Sequence, residues 1–203
     1  MINEIGETTE IFFGLLYGTL AVELLFAYVL PKVRKGGKTG RRERKSREFK
    51  SFVTLILSLY AIFFMDTFFM YFSYYSGFGE LPFPLTYLGV VLTLGGIGFR
   101  LWAILTMGKF FSPVVTVLED HRVVDSGPYV HVRHPAYSGS IIMLIGIATT
   151  SRSIFSLVLS LIVSLLVYNH RAKLEERLLV QELGDEYISY MHRVTKRFFP
   201  RII

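Results

Sequence analysis

Thirteen residues, GPYVHVRHPAYSG at 127–139, gather Tyr129, His131, Arg133, His134 and Tyr137 around Pro135, and a long apolar run follows at once. Gly127-Pro128 signals a turn. Pro135 keeps His134 out of the helical region and suits the first position of a helix, where a missing N–H costs nothing. His134 is therefore expected at the cap, with the N–H groups of 136–138 turned toward the same space. A helix N-terminus beside an arginine such as Arg133 is a ready anion site. A second set, NHRAKLEERLLVQELGDEY at 169–187, follows another apolar run. Arg171 and Glu175 are four apart and share one helical face, and Gly184 is placed to end that helix. Each feature alone has a plain explanation: a surface helix pair, an arginine snorkelling to lipid phosphate, interfacial tyrosines. Together they describe a pocket with an arginine and a helix N-terminus on one wall and a carboxylate on another, suited to a zwitterionic ligand.

The elements that must position these residues are membrane helices. Of 203 residues 52% are hydrophobic and 19% charged, and mean hydropathy is +0.45. Apolar runs cover 11–30, 52–75, 85–107 and 136–168, and a bilayer core needs roughly 20 residues per helix. The last run is too long for one crossing and is broken by TTSRS at 149–153, so it reads as a helical hairpin. The expectation is an all-α integral membrane protein of about five transmembrane helices, the last two a hairpin, with a cytosolic cofactor pocket. The first run is flanked by Glu4, Glu7 and Glu10 rather than by a basic segment, unlike a signal peptide, and is expected to remain in the protein.

Charge sets the orientation. Residues 31–50 hold ten Lys or Arg against Glu43 and Glu48, whereas 76–84 holds Glu80 and no base. The basic loop is then cytosolic, with the N-terminus outside and the C-terminus and active site cytosolic. Residues 1–84 read as two N-terminal transmembrane helices joined by the basic loop. Residues 85–203 read as the catalytic core: helices three to five, the segment 110–137 and a C-terminal cytosolic helix. The net charge of +6 and the pI near 9.5 follow from juxtamembrane bases facing anionic lipid and call for no nucleic acid. The chain has no cysteine, which excludes disulfides, thiolate metal sites and a cysteine nucleophile. His131, His134 and His170 do not have the spacing of a metal site.

Three ionisable residues interrupt the spans: Glu23, Asp66 and Arg100. Intramembrane charges are costly and are functional suspects. Glu23 precedes Pro31, and Arg100 precedes Lys109, by a similar distance, so both lie about 12–14 Å from the cytosolic ends of their helices. Opposite charges at matched depth suggest an interhelical pair. Asp66 lies toward the outer leaflet, where a structural hydrogen bond is expected. Gly14, Gly18, Gly89, Gly95, Gly96 and Gly98 either leave a lateral gap for a lipophilic molecule or let helices pack closely.

The order HRVV (121–124), GPYVHVRHPAYSG (127–139), RAKLEE (171–176) and LGDEYISYMHRV (183–194) resembles the isoprenylcysteine carboxyl methyltransferase family, itself similar to membrane phospholipid methyltransferases. The resemblance covers about 85–203. It implies a cytosolic S-adenosylmethionine site formed by 110–137 and the last helix. His121, Arg122, Val123 and Val124 would line the cofactor, and Tyr129 with the turn His134, Pro135, Ala136 and Tyr137 would close around it, Arg133 adjoining. Glu175 would hold a polar cofactor group and Arg171 would face the acceptor, the pair forming the catalytic set. Thr116 stands where the family has a longer polar side chain. The implied partners are a lipophilic small molecule or lipid-modified substrate, and membrane lipids.

An ionised carboxylate acceptor needs no general base at neutral pH, only orientation and shielding from water. Arg171 could hold such a carboxylate through paired N–H groups. An amine acceptor, as in phospholipid N-methylation, would need a base, with His131, His134 and Glu175 as candidates. An NADPH-dependent sterol-type reductase and a non-catalytic lipid-binding scaffold are the competing readings. The first lacks a longer basic pocket for a second phosphate, and the second leaves 127–139 without a role.

Overall fold

The computed structural model describes residues 2–24, 47–111 and 122–200. Among these the chain is helical: α1 (Ile2–Leu24), α2 (Arg47–Ser76), α3 (Leu85–Met107), α4 (Pro135–Thr150), α5 (Ile154–Leu183) and α6 (Asp185–Arg193), with 3-10 turns at Gly108–Phe110 and Gly127–Val130. Three helical stretches, Val53–Ser76, Leu85–Phe110 and Ile154–Leu183, are long and apolar enough to cross a membrane. Their outward side chains form an apolar belt, with Phe64, Val91 and Leu166 each about two-thirds or more exposed, a surface that only lipid or another apolar partner satisfies.

The expected count of five spans is met only in part. α1 begins at Ile2 rather than near residue 11, so Glu4, Glu7 and Glu10 lie within the helix and dilute it, and residues 25–30 lie outside the described part. α4 is the second departure. Sixteen residues reach about 24 Å, short of a hydrocarbon core of roughly 30 Å, yet 13 of the 16 are buried. It is the central helix, packed on α1, α3 and α5, so protein rather than lipid covers it. That is why its sequence is apolar all round. The break at TTSRS is where α4 ends and α5 begins, and Gly184, at φ +55°, ends α5 as its position suggested.

Close approach of α3 and α4 rests on glycine. A Cβ on Gly96 would lie 2.5 Å from Met143 N, and one on Gly139 would lie 2.7 Å from Arg100 N. Gly89 and Gly146 repeat the arrangement one step toward the other end of the pair. Gly14, Gly18, Gly95 and Gly98 have no atom within 4 Å of such a Cβ. The glycines thus divide, some serving close packing and some lining open space.

Two polar contacts inside the bundle match their expectations. Ser160 Oγ donates to Asp66 at 3.0–3.1 Å, tying α5 to α2. Arg100 of α3 meets Glu23 of α1, Nη2 to Oε2 at 2.9 Å. Arg100 Nε lies 2.8 Å from Glu23 Oε1, an ion contact outside hydrogen-bond geometry. At one end of the bundle Arg152, in the α4–α5 turn, joins Glu80 at 2.7 Å and the Leu81 carbonyl at 3.0 Å. The N-terminus of α4, the end of α5 and α6 gather at the opposite end.

Candidate functional site

The site is built where α4 begins. His134 caps the helix at φ −126°, ψ 61°, with Pro135 in the first turn. Its carbonyl accepts from Tyr137 N at 3.0 Å and Ser138 N at 3.1 Å. Two of the three N–H groups expected to face a ligand therefore close the first turn instead. The C-terminal segment straps the cap in place: Arg133 N donates to Lys196 O and His134 N to Arg197 O, both at 2.9 Å, and Ser138 Oγ donates to Phe198 O.

Against this cap α5 presents two adjacent carboxylates with different work. Glu176, 5% exposed, accepts from Arg133 Nε at 2.8 Å, lies 3.3 Å from His134 Nε2, and accepts from Arg197 at 2.7–3.1 Å. Arg133 also donates to Val194 O at 2.7 Å, and Arg197 to Asn169 Oδ1 at 3.1 Å. Arg133 thus points into the protein, where its charge is already matched. Glu175 faces the other way and is 26% exposed. Tyr137 donates its phenol to Glu175 Oε2 at 2.7 Å and accepts from Arg171 Nε at 2.9 Å. The phenol links the two residues that sequence places on one face of α5. His134 Nδ1 is 3.6 Å from Glu175 Oε2, and its ring stacks on Tyr137 at 5.3 Å between centroids.

The remaining candidates form an adjoining wall. Tyr129 is buried, donates to Ala103 O at 3.3 Å, and offers its own carbonyl to the Tyr190 hydroxyl at 2.8 Å. Burial pushes the Tyr129, Tyr187 and Tyr190 phenols up, so all three stay neutral at physiological pH. Val124 packs with Ala103, Ile104, Tyr129 and Ala136. Val123 packs on Tyr187 and Tyr190, and its N–H donates to Glu186 at 3.0 Å. Arg122 is exposed at the rim, while His121 and Thr116 lie outside the described residues. His131 is exposed. Among the described residues no group of three or more His, Asp or Glu is placed to hold a metal ion.

Sequence reasoning missed Glu176 and Arg197 as organising residues. Glu176 was visible only as the second acid of the Glu-Glu pair, and Arg197 only as one more basic residue near the C-terminus.

The isoprenylcysteine carboxyl methyltransferase (ICMT) family model matches residues 88–181. Over that stretch the chain is similar to the ICMT family. The match takes in α3, the segment leading to the cap, α4 and the Arg171–Glu176 turn of α5, and so contains Tyr137, Glu175 and Arg171 together. A probable protein-S-isoprenylcysteine O-methyltransferase of Oryza sativa subsp. japonica is 32% identical over 112 residues, covering 54% of this chain and 59% of that protein. The protein-S-isoprenylcysteine O-methyltransferase of Saccharomyces cerevisiae is 33% identical over 111 residues, 54% of this chain and 46% of its own length. A cobalt-zinc-cadmium resistance protein, CzcN, of Cupriavidus metallidurans is 28% identical over 114 residues, 56% of this chain and 50% of that one. The chain thus spans about half the length of the curated relatives it matches. The solved structure of a eukaryotic intramembrane Ras methyltransferase ICMT superposes with a TM-score of 0.62 at 22% identity, covering 95% of this chain and 68% of the other. That likeness is one of fold, and it extends beyond the family match to include the N-terminal helices.

Proposed function

We propose that the chain is an integral membrane methyltransferase that uses S-adenosylmethionine to esterify the carboxylate of a lipophilic acceptor, an S-isoprenylated cysteine being the leading class, at the cytosolic membrane face. The observation that carries this reading is the Arg171–Tyr137–Glu175 chain, in which a cation and an anion are fixed by one phenol at the mouth of a buried helix. Both charges belong to the family-matched core.

The residues present suit the cofactor. Glu175 is partly exposed and has a carboxylate able to accept from an ammonium group. Half-buried Val123 and Val124, packed on the tyrosines of the adjoining wall, offer apolar surface for a purine. When bound, S-adenosylmethionine supplies an electrophilic methyl group. The protein's own work is placement. Arg171 fixes the acceptor carboxylate by paired N–H groups, Tyr137 holds Arg171 and Glu175 in register, and the buried flank of α4 excludes water that would weaken both interactions. No side chain is required to remove a proton, because the acceptor oxygen is already ionised. The acceptor's apolar tail stays in the bilayer, reaching the site beside α1 and α3 where Gly14, Gly18, Gly95 and Gly98 leave open surface.

The test is binding followed by turnover. Purified protein in detergent is expected to bind S-adenosylhomocysteine with a Kd on the order of 10 μM, to ignore NADPH, and to lose binding in Glu175→Gln. Labelled methyl transferred to N-acetyl-S-farnesylcysteine should be released as methanol by mild alkali. An alkali-stable product on a phospholipid amine would move the assignment to N-methylation. Binding of NADPH alone would overturn the methyltransferase reading.

A further inference from the structure

The guanidinium of Arg100 sits one helical turn deeper in the bundle than the cap and touches three helices. It lies on α3 and meets Glu23 of α1, and Nη1 donates to two groups on α4, the Ala136 carbonyl at 3.1 Å and Ser140 Oγ at 2.6 Å. These two α4 groups bracket Tyr137. The ring of Tyr168 from α5 packs on Tyr137 at 5.2 Å between centroids. Arg100 therefore holds the stretch of α4 that carries Tyr137 on both sides, at the Ala136 carbonyl just before it and at Ser140 one turn later. Gly139 removes the slack, since a Cβ there would lie 2.7 Å from both N and Cβ of Arg100.

Stability alone does not account for this arrangement. An apolar side chain of similar volume would pack between the helices without the desolvation that a buried ion pair suffers, and intramembrane charges mark function more often than packing. What an apolar residue cannot do is hold a carboxylate on α1 and a carbonyl and a hydroxyl on α4 in one planar fork. We propose that Arg100, anchored by Glu23, is a positioning residue for the methyl transfer proposed above: it sets the first turn of α4, and with it the Tyr137 phenol between Arg171 and Glu175. The inference rests on that functional reading. It adds that α1, outside the family-matched segment, takes part in aligning the reactive groups.

Arg100→Lys separates positioning from charge, because an ammonium can keep the pair with Glu23 but cannot span all three partners. In wild-type protein that binds S-adenosylhomocysteine and methylates N-acetyl-S-farnesylcysteine, Arg100→Lys is expected to lower kcat about tenfold or more, as misplacement of reacting groups does. KM for the acceptor and the S-adenosylhomocysteine Kd should stay within about threefold, and the thermal midpoint should stay near wild type. Ser140→Ala, which deletes one arm of the fork with little risk to folding, is expected to lower kcat in the same direction by about threefold or more. Wild-type kcat in either folded variant overturns the positioning role, as does loss of activity only in proportion to loss of folded protein. A wild-type protein that neither binds nor transfers methyl overturns the functional reading itself, and this is seen before any variant is made.

Discussion

Glu175 and Glu176 are neighbours in the chain and about 100° apart around α5, and that rotation gives them opposite fates. Glu176 is enclosed by Arg133, His134 and Arg197, so removing its charge strands the buried Arg133 guanidinium and takes the carboxylate from half-buried Arg197. Breaking a buried pair in this way costs about 3 kcal/mol or more. Glu176→Gln is therefore expected to lower the thermal midpoint in detergent markedly and to lose activity along with folded protein. Glu175→Gln should leave the midpoint nearly unchanged, because the carboxylate is partly exposed and Tyr137 can still donate to the amide oxygen, yet abolish S-adenosylhomocysteine binding. A comparison of melting curves and binding isotherms for the two variants decides the division, and equal loss of stability in both would refute it. Sequence located this turn and paired Arg171 with Glu175. It could not rank the two acids, since only the seating of α4 against α5 decides which carboxylate turns inward. Arg197 was beyond reach for a related reason: its bond to Glu176 crosses from a separate C-terminal segment with no periodic relation to α5.

At the scale of elements, the α3–α4 contact is the joint on which the site depends, because it seats the helix whose first turn holds His134 and Tyr137. The polypeptide backbones approach so closely there that a methyl group has no room. Gly96→Ala and Gly139→Ala are each expected to destabilise by about 1–3 kcal/mol, the range for overpacking. Gly95→Ala serves as the neighbour control. It meets nothing within 4 Å, and alanine's higher helix propensity favours it by up to about 1 kcal/mol. Thermal midpoints should fall for the first two and hold or rise for the third; a fall of equal size in Gly95→Ala would mean that α3 is seated differently. The run LTLGGIGF shows that small residues matter somewhere on α3, but hydropathy cannot tell adjacent glycines apart. Their roles depend on which face α4 occupies. The hairpin break at 149–153 and the end of α5 at Gly184 were legible because turn residues and a glycine act locally, whereas α4's burial on every side is a property of its neighbours.

For the whole molecule, hydropathy gave the class and three of the spans, while the end of the first run, 25–30, lies outside the described residues. α4 looks like a membrane crossing because it is apolar all round, but its lipid is the rest of the protein. The glutamates that mark the start of α1 lie inside the helix, and two of them face partners: Glu7 accepts from Tyr87, and Glu4 lies 3.8 Å from Arg152. Those contacts place the start of α1, the 77–84 loop and the α4–α5 turn at one end of the bundle, opposite the cap, the end of α5 and α6. The positive-inside rule predicts the orientation from ten bases in 31–50 and a further set after residue 170, against Glu80 alone in the loop between α2 and α3. With no native cysteine to interfere, the orientation can be read directly. Phe78→Cys and His192→Cys each replace an exposed side chain, one at either end. In right-side-out membranes a charged maleimide is expected to label Cys at 78 freely, and to label Cys at 192 only after the membrane is permeabilised. Labelling in the opposite order would place the Arg171–Tyr137–Glu175 chain on the outer face, away from the cytosolic pool of S-adenosylmethionine, and an acceptor modified inside the cell could then no longer be its substrate.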